Sequence, residues 1–123
     1  MPVFDRIRAW APFGAVPEIH ADELLAALDL PVPPVLVDVR TRVEWEQSHI
    51  AGSISVPILR FDERLDGLGL DPLRPVVVLC LSAHRSIPAV RILRSRDFHG
   101  AAQLEGGMLA WWARRYPTVR AGA

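Results

Sequence analysis

Apolar residues gather along the chain in short runs, and two of these runs have no alternation at all. Val76-Val77-Val78-Leu79 and Val35-Leu36-Val37 are β-branched and apolar throughout. That is the pattern of strands with both faces covered, as in the middle of a parallel sheet. The second strand is expected over 35–40, where Asp38-Val39-Arg40 brings charge to its end. Shorter strand candidates lie at 16–19, 54–56 and 101–104. Between them the period changes. Leu24, Leu25 and Leu28 share one face of a helix over 20–28, and residues 42–48 and 61–65 read as two shorter helices. Ile87, Val90 and Leu93 recur three apart, and Ala89 and Ile92 widen that stripe into an amphipathic face beginning near Ser86. Met108, Trp111, Trp112 and Tyr116 share a side of a last helix, which carries Arg114 and Arg115 near its end and is stopped by Pro117. Strands alternating with helices predict an α/β domain: a central, mainly parallel β-sheet flanked by helices on both faces.

Turn residues punctuate the same elements. Pro31, Pro33 and Pro34 end the first helix, Gly52 supplies a turn, Gly67 and Gly69 loosen the segment after 61–65, and Asp71-Pro72 and Pro75 lead into the central strand. Phe98-His99-Gly100 turns the chain into the last strand. Residues 1–15, with Trp10, Pro12, Phe13 and Gly14, read as an N-terminal extension that packs on the body, forms a short helix or stays loose. The domain itself is expected over 16–117, with 118–123 as a C-terminal tail.

Composition narrows the function classes. A chain of 123 residues suits one domain with one core. Fourteen basic and fourteen acidic side chains give no net charge, which argues against nucleic acid and anionic membranes as partners. No apolar run approaches the length of a membrane span, and the charged N-terminus has no signal-peptide core, so a cytoplasmic location is the default expectation. The single cysteine excludes an internal disulfide and agrees with a reducing compartment. Sulfur chemistry at that cysteine therefore has to be resolved by an outside thiol. All the basic side chains other than histidine are arginine, so the protein's own side chains offer no amine for Schiff-base catalysis.

That cysteine, Cys80, stands where the central strand stops, followed by Leu81, Ser82, Ala83, His84, Arg85 and Ser86. Free cysteine often just packs as a small hydrophobe. Here it sits at the carboxyl edge of a sheet, where open α/β folds place their ligands, and just before a helix N-terminus. Unpaired N–H groups and the positive end of the helix dipole collect at such a terminus, and a thiolate there is stabilised with a lowered pKa. Ser86 is expected as the N-cap, with Pro88 tolerated in the first turn.

A six-residue loop opened by cysteine and closed by arginine, with serine following, resembles the active-site loop of the rhodanese family of sulfurtransferases. Asp38-Val39-Arg40, His49-Ile50-Ala51-Gly52-Ser53-Ile54 and Leu104-Glu105-Gly106-Gly107-Met108-Leu109-Ala110-Trp111 resemble other signatures of that family, and the likeness spans about 16–117. The resemblance implies a single rhodanese-like domain that moves sulfane sulfur from thiosulfate or a persulfide to cyanide or a thiol through a Cys80 persulfide, with a protein sulfur acceptor as a further option. Cys80 would be the covalent carrier, and Arg85 would brace the loop or bind an anionic donor. Leu81, Ser82, Ala83 and His84 would line the donor site mainly through backbone amides, with Ser86 capping the helix. No metal and no organic cofactor is implied. Asp38, Arg40, Glu44 and His49 are expected to pair and anchor loops, and the tryptophan pair to pack in the core. Ala83 stands where many active members have glycine, and a positive φ there would strain the loop. His84 would add positive charge in mildly acidic solution.

Other readings fit less well. Phosphatases and arsenate reductases of the same fold have a loop one residue longer, with room for a tetrahedral anion. A rhodanese-like sulfur-carrier or interaction module with little turnover is the alternative from a different class. Ser82 and His84 with Asp38 lack the surroundings of a hydrolase nucleophile. His20, His49, His84 and His99 have no metal-ligand spacing, and Arg91, Arg94 and Arg96 read as a solvated helix face.

Overall fold

A computed structural model of the protein describes residues 16–122. The N-terminal extension expected over 1–15 lies outside the described residues. Five strands form one sheet: β1 (Glu18–Ile19), β2 (Val35–Asp38), β3 (Ile54–Ser55), β4 (Val76–Leu79) and β5 (Ala101–Leu104). Their spatial order is β1-β5-β4-β2-β3, and every pair is parallel. The expected "mainly parallel" sheet is thus parallel throughout the described residues, with β4 at its centre.

Parallel pairing needs crossovers, and the helices supply them. These are α1 (Ala21–Ala27), α2 (Arg42–Gln47), α3 (Phe61–Arg64), α4 (Ser86–Ser95) and α5 (Gly107–Ala113), with 3-10 turns at Ile58–Arg60 and Asp66–Leu68 on either side of α3. The alternation of side chains along β4 divides the core in two. Val76, Val78 and Cys80 join Phe61, Leu65, Ala89, Val90 and Leu93 under α3 and α4. Val77 and Leu79 join Leu24, Met108 and Trp111 under α1 and α5. Every residue of β4 is buried, which is why its sequence has no polar position. The two-sided helix cover expected from the sequence is present.

Several strands and helices end earlier than their patterns suggest. β2 stops at Asp38, whose carboxylate receives Arg40 Nε and Nη2 at 3.0 and 2.8 Å. Both side chains are at most 1% exposed, and Arg40 Nη2 also donates to Ser48 O at 2.6 Å. The pair therefore ties the end of β2 to the end of α2. The last helix ends at Ala113, short of Tyr116, which packs edge-on against Trp111 with ring centroids 5.1 Å apart. Trp111 is buried and donates from Nε1 to Pro117 O, while Trp112 donates to Ser48 Oγ, so both serve packing as expected. Arg114 bonds Ala110 O in the last turn and Asp22 on α1. The tail is also tied down, since Val119 and His49 exchange backbone hydrogen bonds of 2.8 and 2.9 Å.

Arg91 is exposed as expected of a solvated face, whereas Arg94 and Arg96 are half-buried and bond to neighbouring elements. Arg94 donates to His99 O and Ala101 O, and Arg96 pairs with Asp62 and Asp66. They hold the turn into β5 and the α3 segment against α4.

Candidate active site

Cys80 follows the last residue of β4, at the carboxyl edge of the sheet, and α4 begins at Ser86. Residues 81–85 turn the chain between them without forming a regular element. The sulfur itself is nearly enclosed, with Cys80 2% exposed. Arg85 N–H donates to Cys80 Sγ at 3.2 Å. Burial alone would push the thiol up. The backbone N–H groups of Ser82, Arg85 and Ala83, together with the Arg85 guanidinium, outweigh it and hold the Cys80 pKa below the ordinary thiol value. The loop thus forms a cradle of N–H dipoles around one sulfur atom, suited to a thiolate or to the negative end of a persulfide.

The arginine that closes the loop reaches across to α2. Arg85 Nη1 and Nη2 donate to Glu44 Oε1 and Oε2 at 2.7 and 3.0 Å, a two-pronged pair. Glu44 is itself fixed by the start of α2, where it forms a capping box with Thr41. The Arg85 hydrogen bonds hold the Glu44 carboxyl down to about 2, and Glu44 in turn raises Arg85. The contribution of this pair is therefore fully present above the ordinary carboxylate range, declines as pH falls below that range, and is gone below about 2. Glu44 was expected only to anchor loops, and the loop it anchors is the one between Cys80 and Arg85.

The loop is clamped from its other side by the start of α5. Met108 N–H donates to Cys80 O at 2.8 Å and Leu109 N–H to Leu81 O at 3.0 Å. These carbonyls can approach only because residue 107 is glycine. A Cβ there would lie 2.5 Å from both Cys80 O and Leu81 O, and the residue has φ +58°. Gly107→Ala is expected to lower stability by about 1–3 kcal/mol through overpacking against backbone. It is also expected to slow any reaction of the Cys80 thiol about tenfold, because a cradle displaced by a fraction of an ångström no longer converges on the sulfur. Thermal melting and the thiol's rate with an alkylating reagent check both parts, and an unchanged rate would mean that the clamp does not shape the cradle.

The remaining loop residues divide by role. Ser82 Oγ and His84 Nδ1 are 2.9 Å apart, an exposed pair on the outer side of the loop. Ser86 does not cap α4 as expected, because Arg85 takes the cap position and the Ser86 hydroxyl is turned inward. It is buried and donates to Gln103 Oε1 on β5 at 2.5 Å, and Gln103 donates onward to Glu18 on β1. Its side chain braces the loop's exit against the sheet.

Ala83 has φ +83°, the positive value at which alanine is strained. Ala83→Gly is expected to raise stability by about 0.5–1 kcal/mol, since relief of the Cβ contact exceeds the extra freedom glycine has when unfolded. A urea midpoint no higher than that of the parent protein would count against strain at this position.

Of the residues expected to pair, Asp38 and Arg40 hold each other, and His49 stacks on Trp45 with ring centroids 3.8 Å apart. No group of three or more metal-ligating side chains occurs among the described residues. No helix among them is long and apolar enough to cross a membrane. A cavity of about 330 Å³ opens between α1 and Pro117, lined by Leu25, Leu28, Pro34, Leu36, Ile50 and Trp111 among others. It has no ionisable side chain in its wall.

Comparison with known proteins agrees with the geometry. The model of the rhodanese-like domain matches residues 20–114. A sulfurtransferase of Allochromatium vinosum is 31% identical over 104 residues, covering 85% of this chain and 95% of that protein. An uncharacterized protein of Synechocystis sp. is 37% identical over 86 residues, 70% of this chain, and the chain spans only 47% of its length. Among solved structures, the Alr3790 protein of Anabaena sp. superposes with a TM-score of 0.76 at 30% identity, covering 85% of this chain and 82% of that one. With the fold, the cysteine-to-arginine loop and these matches in hand, the chain belongs to the rhodanese-like domain family.

Proposed function

We propose that the protein is a sulfurtransferase in which Cys80 carries the sulfur as a persulfide, taking it from thiosulfate or a persulfide donor and passing it to cyanide or a thiol. The observation that supports this most directly is the convergence of loop N–H groups on Cys80 Sγ, with Arg85 N–H at 3.2 Å. A cysteine that merely packed would gain nothing from a cradle that favours its anion. In the first half-reaction the thiolate attacks the donor's outer sulfur and the donor's S–S bond breaks. In the second, the acceptor attacks the outer sulfur of Cys80–S–S⁻ and the thiolate is restored. Arg85 steadies the loop and the anion, and Glu44 keeps the guanidinium oriented.

Intact-mass measurement after incubation with thiosulfate, and separately with a low-molecular-weight persulfide, tests the reading. The expected result is a gain of one sulfur atom, discharged on adding cyanide or a reducing thiol. No gain with either donor would sink it. Because the thiol's pKa is lowered, the loading rate should begin to fall at a lower pH than the rate of a free thiol does.

The 2% exposure of Cys80 favours one second reading, a sulfur carrier or interaction module with little autonomous turnover. One relative, from Bacillus subtilis, is named a putative sulfur carrier protein. Loading without repeated turnover in the presence of free acceptor would select it.

A further inference from the structure

The cavity of about 330 Å³ lies on the α1 and α5 side of the sheet, toward its amino edge. Leu28 closes α1, which runs back from the carboxyl end of β1, while Pro33 and Pro34 lead into β2 and Ile50 leads toward β3. Leu36 and Trp111 are buried, Leu25 and Leu28 are half-buried, and Val119 is 43% exposed. In the connection that carries the two prolines, Leu30 is 43% exposed and Val32 68% exposed. Protein interiors leave few voids larger than a water molecule. An apolar hollow of this size, with wetted apolar side chains at its border, is suited to receive further apolar side chains.

The chain carries a segment of matching chemistry and length. Residues 1–15 precede the described residues. At helical spacing Val3, Phe4, Ile7, Trp10 and Ala11 fall within about 120° of one another, and Asp5, Arg6 and Arg8 fall on the rest of the turn. Pro2 suits the start of such a helix and Pro12 stops it, so it would run over 3–11 and measure about 13 Å. The described chain begins at Val16, just before β1, which is at the same amino edge as the groove. The strand order sets β2 three strand spacings from β1, about 14 Å. Residues 12–15, extended, span about 13 Å. The segment therefore starts at the right edge with the right reach.

We propose that residues 3–11 form an amphipathic helix whose apolar side, carrying Phe4, Ile7 and Trp10, fills this groove of the same chain. A tether of four residues keeps the segment near the groove at an effective concentration on the order of millimolar, which favours it over a second copy or a foreign partner. The charged side of the helix stays in water, in keeping with a groove wall that has no ionisable side chain. So seated, the segment backs Trp111 on α5, the helix whose first turn holds the Cys80 and Leu81 carbonyls.

NMR on the full chain tests this. The expected result is a set of nuclear Overhauser contacts from the Trp10 indole and the Phe4 ring to the methyl groups of Leu25, Leu28 and Ile50. Trp10→Ala should abolish the indole contacts, shift those methyl resonances and lower Tm by about 5 °C as apolar burial is lost. Ile7→Asp, which puts a charge on the apolar side, should shift the same methyl groups. A mixture of isotope-labelled and unlabelled chains separates the sources. Contacts within one chain support the proposal, whereas contacts found only between labelled and unlabelled chains overturn it in favour of a second copy. Contacts of Trp10 with another face, or groove methyl groups that neither variant shifts, also overturn it. None of these measurements involves Cys80, so their outcome is separate from that of the sulfur-transfer reading.

Discussion

Cys80→Ser is expected to take up no sulfur from any donor while remaining folded. Serine is close to cysteine in size, and the position already offers its side chain a donor, since Arg85 N–H points at it from 3.2 Å. The cost to stability should stay within about 1–2 kcal/mol, chiefly from placing a hydroxyl at a site that is 2% exposed. The chemistry does not survive so mild a change. An alcohol stays protonated at neutral pH, and N–H groups that lower a thiol's pKa fall far short of ionising it. The chain has one cysteine, so there is no second thiol to substitute. Intact mass after donor treatment, alongside a thermal melt, reads both halves. Sulfur gained by the serine variant would place the reactive group elsewhere.

The largest loss of stability is expected from Asp38→Ala. Arg40 is 1% exposed, and its guanidinium has Asp38 as its carboxylate partner. Removing that carboxylate strands a buried positive charge, which costs about 3–5 kcal/mol. Against a total stability of about 5–15 kcal/mol this is a large fraction, and Tm should fall by more than about 10 °C. The damage extends to the site. Arg40 also holds Ser48 O at the end of α2, and α2 carries Glu44, so a displaced Arg40 loosens the residue that orients Arg85. The double variant Asp38→Leu with Arg40→Met removes both charges and should recover much of the loss. If the double variant melts as low as the single one, the stranded charge is not the cause.

The strands were the most legible part of the sequence. Residues 76–79 and 101–104 occupy β4 and β5 with the bounds their patterns predict, and β4's unbroken apolar run correctly marked the strand covered on both faces. The ends of β2 and α5 were harder to read because tertiary contacts decide them. Asp38 leaves the strand to receive Arg40, and Tyr116 turns away from the helix to pack on Trp111. The Cys80 to Arg85 loop was visible as a motif, and local pattern placed it between strand and helix. Its fixings were not visible, because each joins residues distant in sequence. Arg85 meets Glu44 41 positions away, and Ser86 meets Gln103 17 positions away. The expectation that Ser86 caps α4 failed for that reason: a serine before an apolar stripe is a local cap signal, and the buried glutamine of β5 competes for its hydroxyl. A polar residue inside the otherwise apolar Ala101-Ala102-Gln103-Leu104 was the available hint of such a partner.

The contact between Gly107 and the carbonyls of Cys80 and Leu81 has a consequence for biosynthesis. On a ribosome the cysteine emerges well before the glycine pair does, so for part of its synthesis the chain displays the thiol without the helix that shapes its loop. During that interval the Cys80 loop lacks the two hydrogen bonds that the start of α5 supplies. A nascent chain arrested before residue 107 should therefore hold the Cys80 loop less rigidly than the completed chain does.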